Sequence, residues 1–193
     1  MIVWLNGTFG VGKSATAAEL ARIMPGSRVF DAEIVGYMLM TILQDQTFSD
    51  FQDLPPWRAL VPVVTAEIER HTGQDLLAVQ TVLSQAYWAE LTGGFRKQKL
   101  DVFHVLLEAD PQVLAKRIEA DEAERTARQW RLDHIGGYLA ARGWLTAAAD
   151  LVVDSTTRTP EQVAQVIVTA AAARPAASRQ ALPGRGTAPD LEG

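Results

Sequence analysis

Near the N-terminus the stretch Gly7-Thr8-Phe9-Gly10-Val11-Gly12-Lys13-Ser14 fills every fixed position of the pattern G-x-x-x-x-G-K-[ST]. Glycines at these spacings let consecutive backbone N–H groups point into one concavity, a shape that holds a phosphate. A helix beginning near Ser14 adds its positive end to that cradle. The pattern also supplies a lysine for the β- and γ-phosphates, Lys13, and a hydroxyl for Mg²⁺, Ser14. Its context agrees. Met1 to Leu5 is an unbroken apolar run, the mark of a strand buried on both faces of a parallel sheet. After the motif, Ala17, Leu20, Ala21 and Met24 recur at helical spacing until Pro25-Gly26. The expected nucleotide contacts are Gly7, Thr8, Phe9, Gly10, Val11, Gly12, Lys13, Ser14 and Ala15, with ATP and Mg²⁺ as the implied ligands.

The rest of the chain repeats this alternation. Short apolar strands are predicted at 28–30, 76–79, 102–107 and 151–153. Helical patterns lie between them at 32–44, 57–71 (with Pro62 bending the helix), 87–99 (broken at Gly93-Gly94) and 112–140, and a last helix runs from the capping box Thr159–Gln162 to about Ala173. Alternation at this spacing implies an α/β fold, a parallel sheet with helices on both faces. One domain over 1–173 is expected. Residues 174–193, rich in Ala, Gly, Pro and Arg, read as a disordered tail.

Composition narrows the function. The 193 residues contain no cysteine, which excludes disulfide scaffolds, zinc–thiolate sites and cysteine nucleophiles. A net charge of −5 argues against a nucleic-acid partner. No run is long enough for a membrane span, and no secretory leader is seen, so a cytoplasmic location is expected. The three histidines match no metal-ligand spacing.

Among phosphate-loop proteins, a GTPase is disfavoured because no N-K-x-D motif occurs. The strand at 76–79 ends in Gln80-Thr81, without the acid that many ATPases carry there. Leu91-Thr92-Gly93-Gly94 is only faintly like a transport-ATPase signature. A small kinase remains. Asp31 follows the second strand, at the end of the sheet where open α/β folds bind ligands. A carboxylate there can take a proton from a substrate hydroxyl or hold a metal-bound water; it can equally cap the next helix. Arg125 and Arg128 lie in a charged segment suited to a lid over the γ-phosphate, although Asp121–Arg125 and Glu124–Arg128 are also ordinary i, i+4 pairs. Arg117 is placed to stack on a base, and Phe51, Trp57 and Arg58 to line a substrate pocket, with a core role for Trp57 as the other reading.

Ile2 to Gly7, Gly12-Lys13-Ser14, Phe30-Asp31, Asp50-Phe51-Gln52 and Pro55-x-Trp57-Arg58-Ala59 together resemble the bacterial tunicamycin-resistance family. The resemblance is clearest over the first 60 residues and looser through Leu114-x-Lys116-Arg117. It implies a three-layer P-loop nucleoside triphosphate hydrolase fold like that of shikimate kinase, adenylate kinase and chloramphenicol phosphotransferase. The implied sheet has five parallel strands in the order 2-3-1-4-5, with a lid after the fourth, here about 117–131. It also implies adenine between Arg117 and the Ser155–Pro160 loop, and Asp31 facing the substrate hydroxyl. Gln80-Thr81-Val82 departs from the Gly-rich or acidic stretch of the better-characterised kinases. The implied activity is ATP- and Mg²⁺-dependent transfer to a hydroxyl of a small molecule, tunicamycin or a related nucleoside or sugar. Non-catalytic, ATP-dependent sequestration of the drug is the alternative, and a regulatory ATPase with a protein partner a third.

Overall fold

The computed structural model describes residues 1–174. Five strands, β1 (Ile2–Asn6), β2 (Ser27–Asp31), β3 (Asp75–Val79), β4 (Val102–Glu108) and β5 (Leu151–Asp154), form one sheet in the order β2-β3-β1-β4-β5. All four pairings are parallel. Among the described residues seven α-helices connect and flank them: α1 (Lys13–Ile23), α2 (Glu33–Ile42), α3 (Pro55–Thr72), α4 (Gln85–Lys97), α5 (Pro111–Ala120), α6 (Arg128–Ala148) and α7 (Pro160–Ala173).

The period-2 geometry of β1 explains why its apolar run is unbroken. Val3 and Leu5 point into a core formed with α1, α5, α6 and α7, where Leu20, Leu114, Leu145 and Ile167 are buried. Ile2 and Trp4 point the other way, into a core formed with α2, α3 and α4. Trp4 packs there against Trp88 and Phe95, with ring centroids 5.6 and 5.4 Å away. As the central strand, β1 has no solvent face and therefore no polar alternation.

Three expectations are corrected. Helix α4 is continuous over Gln85–Lys97, not broken at Gly93-Gly94. A β-carbon on Gly94 would lie 2.6 Å from Pro62 Cγ, so this glycine serves the close approach of α3 and α4. The pattern read as one helix over 112–140 is two helices, α5 and α6, separated by residues 121–127 with a short 3₁₀ turn at Arg125–Ala127. Helix α6 continues to Ala148 because Tyr138, Ala141 and Leu145 are buried against β4 and β5. Finally, Arg174 is docked: it pairs with Asp101 at 3.1 Å and lies over the Phe103 ring at 4.8 Å. The remainder of the expected tail, 175–193, lies outside the described residues. Among the described residues no helix is long and apolar enough to cross a membrane.

Candidate active site

The carboxyl ends of β1, β2 and β3 and the segment joining α5 to α6 enclose a cleft of about 1040 Å³. Its floor is the loop after β1. Gly7 and Gly10 take φ of 138° and 75°, and β-carbons there would meet the Leu107 and Leu114 carbonyl oxygens at 2.5 and 2.9 Å. Only glycine fits both the dihedral and the space. Asn6 at the end of β1 anchors the loop: its Oδ1 accepts from Gly7 N (2.8 Å) and Val82 N (2.9 Å). The Thr81 hydroxyl donates to the Gly7 carbonyl at 2.8 Å. The Gln80-Thr81-Val82 segment, which lacks an acid, thus braces the loop.

Lys13 Nζ donates to the Gly7 and Thr8 carbonyls at 2.9 and 3.0 Å and lies 5.4 Å from the Phe9 ring centre. Loss of surrounding water pushes its pKa down to about 8, with Glu33 acting in the opposite direction. Ser14 and Ala15 open onto the cleft at the start of α1. Val11 is buried under the loop and is not part of the cleft wall; its carbonyl accepts from Ser155 Oγ at 3.0 Å.

The loop fits a nucleotide phosphate. Thr8 is fully buried at the cleft wall, and its hydroxyl has no partner among the described residues, so a donor is held ready for an external acceptor. The Lys13 ammonium has only loop carbonyls to exchange for phosphate oxygens. For Mg²⁺ the donor set is oxygen only, Ser14 hydroxyl with Asp31 and Glu33 carboxylates on the same cleft. Among the described residues no group of three or more His, Asp or Glu could hold an ion alone. A hydroxyl, water and nucleotide phosphates are the usual shell of Mg²⁺ at such a site, so the residues present fit that ion.

Asp31, the last residue of β2, is exposed at the cleft and accepts from Glu33 N at 2.9 Å. Asp31 therefore faces the cleft and also holds the first amide of α2. Glu33 Oε2 accepts from the Tyr37 hydroxyl at 2.9 Å. Burial raises the Glu33 pKa and the Asp31 charge adds to it; the bond to Glu33 pushes Tyr37 up to about 12.

The lid side differs from expectation. Arg125 is exposed on the 3₁₀ turn, and neither it nor Arg128 lines the cleft. The anticipated i, i+4 pairs do not form, because the chain is not helical there. Arg128 pairs with Glu122 at 2.9 Å, and Asp121 pairs with Arg131 at 2.8 Å, which holds the Asp121 carboxyl below the usual range. Arg131 lines the cleft instead, 5.7 Å from the Phe9 ring centre. Trp130 and His134 pack on Phe9 from the same helix, with centroids at 5.0 and 5.5 Å. His134 matches no metal-ligand spacing in the sequence, and in the fold it packs on Phe9. The spacing of Trp130 and His134 at i, i+4 was the available signal, but nothing local marked Phe9 as their partner.

Arg117 lines the cleft and ties three segments together. It donates to the Ser155 carbonyl at 2.8 Å, the Thr156 carbonyl at 3.4 Å and the Gly10 carbonyl at 3.4 Å. Phe51 lines the cleft, whereas Trp57 and Arg58 do not. Trp57 is fully buried, donates to the Ala32 carbonyl at 3.1 Å and packs on Phe51. Arg58 pairs with Glu90 at 2.7 Å, donates to the Gln52 carbonyl and lies over the Tyr87 ring at 4.2 Å. Both stand behind the wall and position its members Phe51, Gln52 and Tyr87. Their apolar surroundings come from α2 and α4, which sequence spacing around 57 does not reveal.

A five-stranded parallel sheet of this order, with a glycine-rich phosphate loop after its central strand and helices around it, is a P-loop kinase-like fold. The chain belongs to the AAA domain family, whose model matches residues 2–139. In structure it is similar to the Deinococcus radiodurans tunicamycin resistance protein, at 28% identity over 87% of this chain and 93% of that one, with a TM-score of 0.69. It is also similar to a sugar kinase from Janibacter sp. HTCC2649 (20% identity, 91% and 96% covered, TM-score 0.64). A third similar structure is Mycobacterium tuberculosis APS kinase in complex with AMPPNP and APS (18% identity, 89% and 97% covered, TM-score 0.62). No curated protein matches the chain by sequence comparison.

Proposed function

We propose that the protein is a cytoplasmic, ATP- and Mg²⁺-dependent phosphotransferase that acts on a hydroxyl of a small molecule, with tunicamycin as first candidate and resistance to it as the outcome. One observation carries the reading: Lys13 and Ser14 of the phosphate loop share a single cleft with the Asp31 carboxylate. Phosphate cradle and proton acceptor are the two parts that transfer to an alcohol requires. The similarity to a tunicamycin resistance protein and to small-molecule kinases supports the choice of class and candidate.

The loop amides and Lys13 take up charge on the β-phosphate as the γ-phosphoryl leaves. Ser14 would hold Mg²⁺, which when bound neutralises the β- and γ-phosphate oxygens. Asp31 orients the acceptor hydroxyl and receives its proton as that oxygen bonds to phosphorus. Arg131 takes the lid role expected of Arg125 and Arg128, meeting the γ-phosphate from the far wall. Arg117 and the Ser155–Pro160 loop hold the adenine, and Phe51 borders the acceptor.

Mass spectrometry of tunicamycin after incubation with protein, ATP and Mg²⁺ tests this. A single added phosphate is expected. Retention of unmodified drug by the protein would favour sequestration instead.

A further inference from the structure

The charges of the cleft are unevenly divided. Its β2–β3 half carries Asp31, Glu33, Asp50 and Asp53, and among the described residues no lysine or arginine lines that half. The cations of the cleft, Lys13, Arg117 and Arg131, come from the phosphate loop, α5 and α6, where the acids Asp121, paired with Arg131, and Glu124 also line the wall. The nearest arginine behind this wall, Arg58, is occupied by Glu90, the Gln52 carbonyl and the Tyr87 ring. Crowding shows at the outer pair: burial raises the Asp50 carboxyl, and the charge of Asp53 adds to it.

A second observation at the same wall is independent of charge. Gln80 is 2% exposed and lines the cleft at the end of β3. Its backbone N donates to the Leu5 carbonyl at 3.2 Å and its Nε2 to the Thr81 carbonyl at 3.2 Å. Its Oε1 accepts from nothing among the described residues. Buried acceptors in folded proteins are almost always satisfied, so this one calls for a donor from a ligand. Most hydroxyl donors of this half are already committed, Tyr37 to Glu33, Tyr87 to Asp53 and Thr81 to the Gly7 carbonyl, while Ser84 Oγ accepts from Tyr87 N. What the wall offers is therefore acceptors, both charged and neutral, and what complements it is a ligand rich in donors.

We infer that the acceptor substrate is a polyhydroxy compound without negative charge, either neutral or amine-bearing, and that this half of the cleft excludes carboxylates, phosphates and sulfates. Gln80 Oε1 accepts from one of its hydroxyls or its amine. The inference deepens the phosphotransferase reading and rests on it for the word acceptor; the charge preference of the half-cleft does not.

Binding and transfer are therefore measured separately. Protein saturated with ADP and Mg²⁺ is titrated calorimetrically with glucose, glucosamine and glucuronate, and with uridine, its 5′-amino-5′-deoxy form and its 5′-carboxylate. In at least one set the neutral and amine forms should bind at least tenfold tighter than the carboxylate. Gln80→Leu should weaken the best probe by about tenfold or more. Should that variant fail to fold, Gln80→Glu keeps the size, adds a charge and should favour the amine form over the neutral one. The double change Asp50→Asn with Asp53→Asn should narrow the gap between neutral and carboxylate forms. Carboxylates binding as tightly as their neutral partners would overturn the inference, as would the failure of both sets to bind. A probe that binds in the expected order but accepts no phosphate from ATP would overturn the phosphotransferase reading and leave the charge preference standing.

Discussion

Replacing Asp31 by Asn separates chemistry from structure at one atom. In the native protein Asp31 Oδ1 accepts from Glu33 N at 2.9 Å, at the entrance to α2. Asparagine keeps that oxygen and caps helices about as well as aspartate, so the bond persists. The side chain is exposed, and the change in stability should stay within about 0.5 kcal/mol. What disappears is the charge. A positioned general base contributes roughly 10²–10⁴-fold to a rate, which is about 2.7–5.5 kcal/mol of activation free energy. Two secondary effects follow from the same charge. Asp31 helps to raise the Glu33 pKa and helps to keep the Lys13 ammonium protonated, in each case behind larger causes. Near neutral pH Lys13 remains charged, so ATP affinity should change by less than about threefold. The assay is single-turnover transfer to an accepted substrate beside nucleotide affinity in the same preparation. A transfer rate reduced by about 10²-fold or more at near-normal affinity is expected. Equal rates in mutant and wild type would refute the argument and leave Asp31 a helix cap.

Three further outcomes follow from other parts of the molecule. Lys13 in the folded protein loses its proton near pH 8, whereas an unfolded chain holds it to about 10.4. Between those values the unfolded state binds more protons, so the contribution of Lys13 to stability rises with pH; ATP affinity runs the opposite way, falling above about pH 8 toward tenfold per pH unit, and a pH series of calorimetric titrations on wild type and Lys13→Arg should show the fall only in the former. Arg131→Ala should slow transfer by about 10²-fold or more, while Arg125→Ala stays within about twofold, as read in parallel stopped-flow measurements. Gly94→Val should destabilise the fold by about 1–3 kcal/mol in urea titrations, because its β-carbon would lie 2.6 Å from Pro62 Cγ at the α3–α4 crossing.

Much of this architecture is written locally. The apolar run of β1 followed by Gly7–Ser14 is a contiguous signal, and its neighbours in sequence are its neighbours in space. Asp31 was legible for the same reason: strand ends define the ligand edge of an α/β sheet, and Asp31 closes β2 opposite Val79 of β3. The lid was not. Pairing arithmetic for Arg125 and Arg128 presumes an unbroken helix, and a seven-residue interruption gives Asp121 a partner ten residues on, Arg131. For Trp57 the sequence leaves pocket and core both open, and for Arg58 it favours the pocket, because an apolar or cationic side chain near a turn looks the same whether it faces a pocket or supports the wall behind it. Only contacts from Ala32, Phe51 and Glu90 decide, and these come from other elements. Gln80 was noticed for the acid it replaces, while its unpartnered Oε1 is a property of the folded cleft alone.

In the proposed reaction one cleft both cradles ATP and delivers its γ-phosphoryl to a hydroxyl. Phosphorus NMR of protein, ATP and Mg²⁺, with and without tunicamycin, tests it most directly. A phosphomonoester resonance that grows in step with ADP, only when the drug is present and not with Lys13→Ala, is the result expected. Release of inorganic phosphate without any phosphomonoester, or ATP left unchanged beside the drug, would contradict it.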